Sequence, residues 1–163
     1  MARLAKKVAA INEALAVSVQ TPARTVPVLV SADIAEQGDA PKDYWITRNG
    51  VKYAGQHLTI DLWEAEGLDD EKRIQQAFLD AIKAAGATLL HIHTHVFEPN
   101  GGISGVAVLS ESHISCHTWP EKGFAAFDVF MCGDAEPRKA LDVFKRAFQP
   151  GRVVVGEHKR GVV

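Results

Sequence analysis

The chain has 163 residues, of which 47% are hydrophobic and 23% are charged, and its formal net charge is -2. These values are typical of one soluble globular domain with a core of its own. They exclude the strongly basic surface that nucleic acids or acidic membranes attract, and no apolar run is long enough to span a bilayer. The two cysteines, Cys116 and Cys132, form neither a disulfide framework nor a CxxC pair, so a reducing cytoplasm is the expected location.

Residues 1–51 differ from the rest of the chain and are predicted to form an N-terminal extension whose order the sequence does not define. Residues 2–20 have the pattern of an amphipathic helix rather than a signal peptide, because Asn12 and Glu13 interrupt the apolar part. Residues 21–50 contain several prolines among polar residues, which is typical of a loop.

Residues 52–163 are predicted to form the main domain, with its elements in the order β-α-β-β-β-β-α-β. The first strand lies around residues 57–62, where apolar and polar residues alternate. A helix opens at Asp69–Glu71 and ends at Gly86. Strands follow over residues 87–97, 103–110, 113–119 and 124–131, then a helix from about Ala135 to Phe148 and a last strand over residues 152–159.

Short turns between consecutive strands predict a mostly antiparallel sheet. A sheet accompanied by two amphipathic helices favours both helices on one face. The expected fold class is therefore α+β, a two-layer α/β sandwich with the N-terminal extension attached.

Three histidines, His91, His93 and His95, alternate along one predicted strand and would point to the same side of it. Three imidazoles can bind zinc. However, they would spread over roughly 13 Å at about 3.3 Å per residue, which is too wide for one ion. We therefore expect a polar sheet face or an interface here, and no metal.

Residues 109–121 concentrate several groups that are capable of covalent chemistry. Ser112 lies between Glu111 and His113, and His117 follows on the predicted strand 113–119. A Ser–His hydrolase would also need an orienting acid and an oxyanion hole, and the segment has no G-x-S-x-G elbow. Cys116 is expected in the core, whereas Cys132 ends a strand where its side chain can reach a pocket.

Six short motifs occur along the main domain: Gly55–Leu58, Phe97–Pro99, Gly102–Gly105, Glu111–His113, His117–Glu121 and Asp128–Gly133. Together and in this order, they make the chain from about residue 51 onward strongly resemble the bacterial S-adenosylmethionine decarboxylase proenzymes, a pyruvoyl-dependent family. The likeness depends on the whole combination and not on one short motif.

The resemblance implies that the chain cleaves itself between Glu111 and Ser112. Residues 1–111 would become the β chain, and Ser112 would become a pyruvoyl group at the start of the α chain. That group would form a Schiff base with the substrate amine and take up the electrons left on Cα. It would replace pyridoxal phosphate, so no external cofactor is expected.

The resemblance also assigns roles to single residues. Ser104 assists processing, by polarising the scissile carbonyl or by positioning the ester. His117 moves the proton in the elimination step, for which a near-neutral pKa is suited. Cys132 returns a proton to Cα after carbon dioxide leaves. Phe97 stacks on adenine, where it could also face the sulfonium charge, and Glu121 holds the ribose hydroxyls.

The implied activity is the decarboxylation of S-adenosylmethionine for spermidine biosynthesis. The implied assembly is a homodimer of processed α and β chains, with residues from both subunits near each pocket. The same machinery could instead serve ornithine or arginine, although Phe97 and Glu121 favour the nucleoside substrate. An unprocessed binding or regulatory subunit is the non-enzymatic alternative, and the intact catalytic set argues against it.

Overall fold

The structure, a computed structural model, describes residues 44–163. The predicted helix at 2–20 and most of the predicted loop at 21–50 lie outside the described residues. The described part contains the strands β1 (Ile46–Arg48), β2 (Val51–Tyr53), β3 (Gly55–Trp63), β4 (Leu89–Val96), β5 (Ile103–Leu109), β6 (Ser112–Trp119), β7 (Phe124–Met131) and β8 (Arg152–Arg160), the helices α1 (Glu71–Ala85) and α2 (Arg138–Phe148), and a 3₁₀ turn at Pro120–Lys122.

Six of the strands form one antiparallel sheet in the order β4-β5-β6-β7-β3-β8. Both helices pack on the same face of this sheet, through buried side chains that include Phe78 of α1 and Phe144 of α2. Phe144 stacks on Phe127 of β7 with ring centroids 4.3 Å apart. The prediction of an α+β two-layer sandwich is confirmed.

The predicted limits of α1 agree with the structure for physical reasons. The Asp70 side chain accepts a hydrogen bond from the Arg73 N–H at 3.1 Å and so caps the first turn. Gly86 ends the helix at φ 71°, a conformation that glycine adopts without strain.

Helix α2 begins at Arg138, three positions later than predicted. Pro137 precedes it with φ -60° and no N–H to donate, which suits a helix entry. The Glu136 N–H donates instead to the carbonyl of Ala85 at the end of α1. Residues 135 and 136 therefore belong to the connection between β7 and α2, which is hydrogen-bonded to the end of α1.

The predicted loop before residue 51 is wrong in its last part, because β1 and β2 form a hairpin. Asn49 and Gly50 connect the two strands with φ 53° and 76°. Positive φ at both central residues is the geometry of a two-residue hairpin turn, and Asn-Gly is its preferred sequence. The hairpin spans the predicted domain boundary at residue 51, which stays a prediction.

The sheet face opposite the helices, called the open face below, carries all seven histidines of the chain. His91, His93 and His95 share this face, as their alternation predicts. One row of paired residues crosses all six strands of the open face: His91, Val108, His113, Phe130, His57 and His158.

None of the helices within residues 44–163 is long and apolar enough to cross a bilayer.

Candidate active site

The predicted cleavage site lies in the tight turn that joins β5 to β6. Ser110 and Glu111 form this turn, and Leu109 pairs with Ser112 across it. Ser112 has φ 136°, a value that a residue with a side chain rarely adopts. Such a conformation costs on the order of 1–3 kcal/mol and is commonly found at functional sites. The backbone is therefore strained at the residue that follows the predicted scissile bond.

Cys132 lies directly beside this turn. Ser112 pairs with Met131 at the end of β7, and the next residue, Cys132, donates its backbone N–H to the Glu111 carbonyl at 3.0 Å. The Cys132 side chain is half-buried. The structure thus brings together Glu111, Ser112 and Cys132, which we call the cleavage cluster.

The other cysteine has a different environment. Cys116 is 1% exposed and packs in the core between sheet and helices, as predicted. Burial raises the pKa of its thiol to about 12, because the charged thiolate is poorly solvated there. Cys116 is therefore a core residue without thiolate chemistry at neutral pH.

Thr88 holds the turn from its other side. Its backbone N–H donates to Glu111 Oε2 at 2.8 Å, and its hydroxyl donates to Glu111 Oε1 at 3.3 Å. Its carbonyl accepts from the Ser110 N–H at 3.0 Å. No periodicity or motif in the sequence points to this contact, because its two partners are distant along the chain.

A second group of predicted residues lies at the other end of the same strands. Ser104 and His117 are paired across β5 and β6, and the Ser104 hydroxyl is hydrogen-bonded to His117 Nδ1 at 2.8 Å. Phe97 follows β4 and meets the His95 ring edge-on at 4.6 Å. We call Phe97, Ser104 and His117 the His117 cluster.

The His117 cluster opens into a cavity of about 610 Å³. Glu121 is exposed in the 3₁₀ turn after Trp119 and lies outside the lining of this cavity. The residues that line it are Phe97, Glu98, Pro99, Asn100, Gly102, Ile103, Ser104, His117, Thr118 and Trp119.

The two clusters do not meet within one chain. Ser112 starts β6, and His117 lies five positions further along the same strand. At about 3.3 Å per residue, the two are separated by roughly 16 Å. A serine and a histidine at this distance cannot exchange a proton directly.

The segment that leads into the β1–β2 hairpin makes a contact that the sequence analysis missed. The Gly133 N–H donates to the carbonyl of Tyr44 at 2.9 Å, so a residue two positions before β1 contacts the residue that follows Cys132. The Asn49–Gly50 pair was the available signal for this hairpin.

Among residues 44–163, no group of three or more His, Cys, Asp or Glu side chains is arranged to hold a metal ion.

Comparison with known proteins identifies the family of the chain. The family model for S-adenosylmethionine decarboxylase matches residues 56–161. This match places the chain in the class of decarboxylases. The chain belongs to the S-adenosylmethionine decarboxylase family.

Two relatives and one solved structure illustrate the likeness. An S-adenosylmethionine decarboxylase proenzyme of Methanococcus maripaludis is 46% identical over 116 residues, which cover 69% of this chain and 94% of that protein. One from Thermomicrobium roseum is 41% identical over 114 residues, 69% of this chain and 98% of that protein. The crystal structure of the adenosylmethionine decarboxylase from Aquifex aeolicus is 35% identical, with a TM-score of 0.60 over 68% of this chain and 93% of that one. None of these three carries a name that supports the alternative of an ornithine or arginine decarboxylase.

Proposed function

We propose that the chain cleaves itself between Glu111 and Ser112 and then decarboxylates S-adenosylmethionine. The geometry at the Glu111–Ser112 bond carries the proposal. Ser112 of this chain has a strained φ of 136°, and the Glu111 carbonyl accepts a hydrogen bond from the Cys132 N–H. Backbone strain next to a peptide bond and a donor on its carbonyl both favour attack at that carbonyl.

The cleavage begins when the Ser112 hydroxyl attacks the Glu111 carbonyl carbon. The peptide C–N bond breaks and an ester forms, which is an N-to-O acyl shift. Negative charge develops on the Glu111 oxygen, and the Cys132 N–H already contacts this atom at 3.0 Å. One such donor accelerates related reactions by about 10²–10³-fold.

The ester is then lost by elimination. A base removes the proton on Cα of Ser112, and Glu111 leaves as a carboxylate, so that residue 112 becomes dehydroalanine. Hydrolysis consumes one water, releases one ammonia and leaves a pyruvoyl group. The surroundings of Ser112 fit the formation of this group, because the scissile bond joins two half-buried residues at a turn and Cys132 lies next to it.

The pyruvoyl group supplies the electron-withdrawing carbonyl that decarboxylation of an α-amino acid requires. The chain's own residues do the rest. Cys132 returns a proton to the substrate Cα, and its position one residue beyond the register partner of Ser112 supports this role. Phe97 offers an exposed ring beside a cavity large enough for a nucleoside, and Glu121 lies two positions past Trp119, which lines that cavity.

We propose that each complete site is formed by two copies of the chain. His117 and Ser104 lie roughly 16 Å from Ser112 of the same chain, given about 3.3 Å per residue. The open face carries exposed apolar side chains, among them Val108 and Trp119 at 42% and 40% exposure. When two open faces pack about a two-fold axis, the same patch is used twice. We propose that this assembly brings the turn that holds Ser112 of one chain close to His117 of the partner subunit.

In this assembly Ser104 and His117 act on the cleavage cluster of the other chain. The hydrogen bond between Ser104 and Nδ1 holds the imidazole, which leaves Nε2 for proton transfer in the elimination step. We further propose that the decarboxylated product serves aminopropyl transfer in spermidine biosynthesis.

The experiment compares the wild-type chain with the Ser112→Ala variant. The wild type is expected to yield two chains that meet at residues 111 and 112, and to release carbon dioxide from S-adenosylmethionine. Ser112→Ala should stay at 17.7 kDa and be inactive. Intact-mass spectrometry and a carbon dioxide assay provide the two readouts. A wild-type chain that is active without cleavage would refute the proposal.

A further inference from the structure

Thr88 is an exposed residue directly before β4, and it makes three hydrogen bonds to the turn that holds the scissile bond. Two of them bind the two carboxylate oxygens of Glu111, and the third binds the N–H of Ser110. One residue therefore holds both turn residues that precede the bond to be broken.

Glu111 is held at both of its polar ends. Its carboxylate is bound by Thr88, and its carbonyl oxygen is bound by the Cys132 N–H. These contacts come from opposite sides of the turn, from the start of β4 and from the end of β7. Rotation of the Glu111 peptide group would break at least one of them. The carbonyl carbon is thus kept in one orientation relative to the Ser112 hydroxyl.

Attack by a hydroxyl on a neighbouring carbonyl depends strongly on orientation, because few conformers bring the reacting atoms into line. We propose that Thr88 is a positioning residue for self-cleavage and that it acts through the Glu111 carboxylate. The inference rests on the proposed function, since it concerns the rate of the cleavage step. In this inference, the Glu111 carboxylate fixes the position of the residue whose carbonyl belongs to the scissile bond.

The test measures cleavage of the full chain from the time of its synthesis in a reducing cell-free translation reaction. Uncleaved and cleaved chains are separated on a denaturing gel. Thr88→Val removes the hydroxyl and leaves the backbone N–H in place. A single hydrogen bond is worth about 0.5–1.5 kcal/mol, so cleavage should slow by about 2- to 10-fold. Thr88→Ser keeps the hydroxyl and should restore most of the rate.

Thr94→Val is the matched control, because it makes the same substitution on β4 outside the cleavage cluster. The Thr94 hydroxyl donates to Glu71 Oε1 of α1 at 2.5 Å, and this bond does not involve the turn. The Thr94 variant should cleave at the wild-type rate. Equal slowing in both valine variants would attribute the effect to general loss of stability and overturn the inference.

A double-mutant cycle tests whether Thr88 acts through Glu111. Glu111→Ala removes the carboxylate and should slow cleavage by about 10-fold or more. In that background, Thr88→Val should have no further effect. An undiminished effect of Thr88→Val, or no effect in the wild-type background, would overturn the inference while leaving the proposed function intact. A wild-type chain that never cleaves would refute both.

Discussion

At the scale of single residues, the two cysteines show how burial decides chemistry. Cys116 is buried in the core, and the pKa of its thiol is raised to about 12. Its thiolate is therefore scarce at pH 8 and would appear only at far higher pH. Cys132 is half-buried at the end of β7, where a reagent can reach it.

We predict that iodoacetamide at pH 8 modifies Cys132 and leaves Cys116 unmodified in the folded protein. Peptide mass spectrometry after quenching identifies the labelled site. Cys132→Ala should lower decarboxylation by about 10²-fold, because general acids contribute 10²–10⁴-fold in enzymes. Preferential labelling of Cys116 would contradict the packing described for the core.

At the scale of elements, α1 is placed by its ends as well as by its apolar face. Asp70 caps the first turn through the Arg73 N–H, and the buried face of the helix includes Ile74 and Phe78. The chain enters α1 from β3 and leaves it toward Thr88 and β4. The cap therefore stabilises the element that leads to the residue holding the cleavage turn.

We predict that Asp70→Ala lowers the free energy of unfolding by about 1 kcal/mol, the usual cost of losing an N-terminal cap. Asp69→Ala is the control, because it removes the same charge one position earlier and leaves the cap in place. Thermal unfolding followed by circular dichroism measures both variants. Equal destabilisation by the two substitutions would show that charge, and not the cap, is responsible.

At the scale of the whole molecule, the separation of the two clusters makes an assembly necessary for the proposed chemistry. Ser112 and Cys132 lie in one cluster, and Ser104 and His117 lie in the other. If each site combines one cluster from each chain, two inactive variants can complement each other. A mixed dimer of Ser112→Ala and His117→Ala chains contains one site with an intact serine and an intact histidine.

We predict that co-expression of Ser112→Ala and His117→Ala restores decarboxylation, to about one quarter of the wild-type sites if the chains assemble at random. Either variant alone should be inactive. Ser112→Ala with Cys132→Ala is the matched control: both residues belong to one cluster, so no mixed site contains both. Failure of the first pair while the wild type is active would refute the two-chain site.

Much of the fold could be predicted from local pattern. Apolar runs, alternation and turn residues placed β3 to β8 in order, and Asp70 and Gly86 marked the ends of α1, because these signals lie within a few residues of what they specify. The motifs likewise pointed to the residues of both clusters. The Asn49–Gly50 hairpin was missed, although its signal was just as local.

The amino-acid sequence by itself determined the elements of the six-stranded sheet and its two helices, that the sheet is largely antiparallel, and which residue types are available for the chemistry. Tertiary structure alone decided the insertion of β3 between β7 and β8 and the hydrogen bonds from Thr88 to Glu111. Each depends on which distant strands pair and in which register. The apolar periodicity of a segment shows only which face of that segment is buried. It does not show which distant strand the segment pairs with, so only the folded chain reveals that pairing.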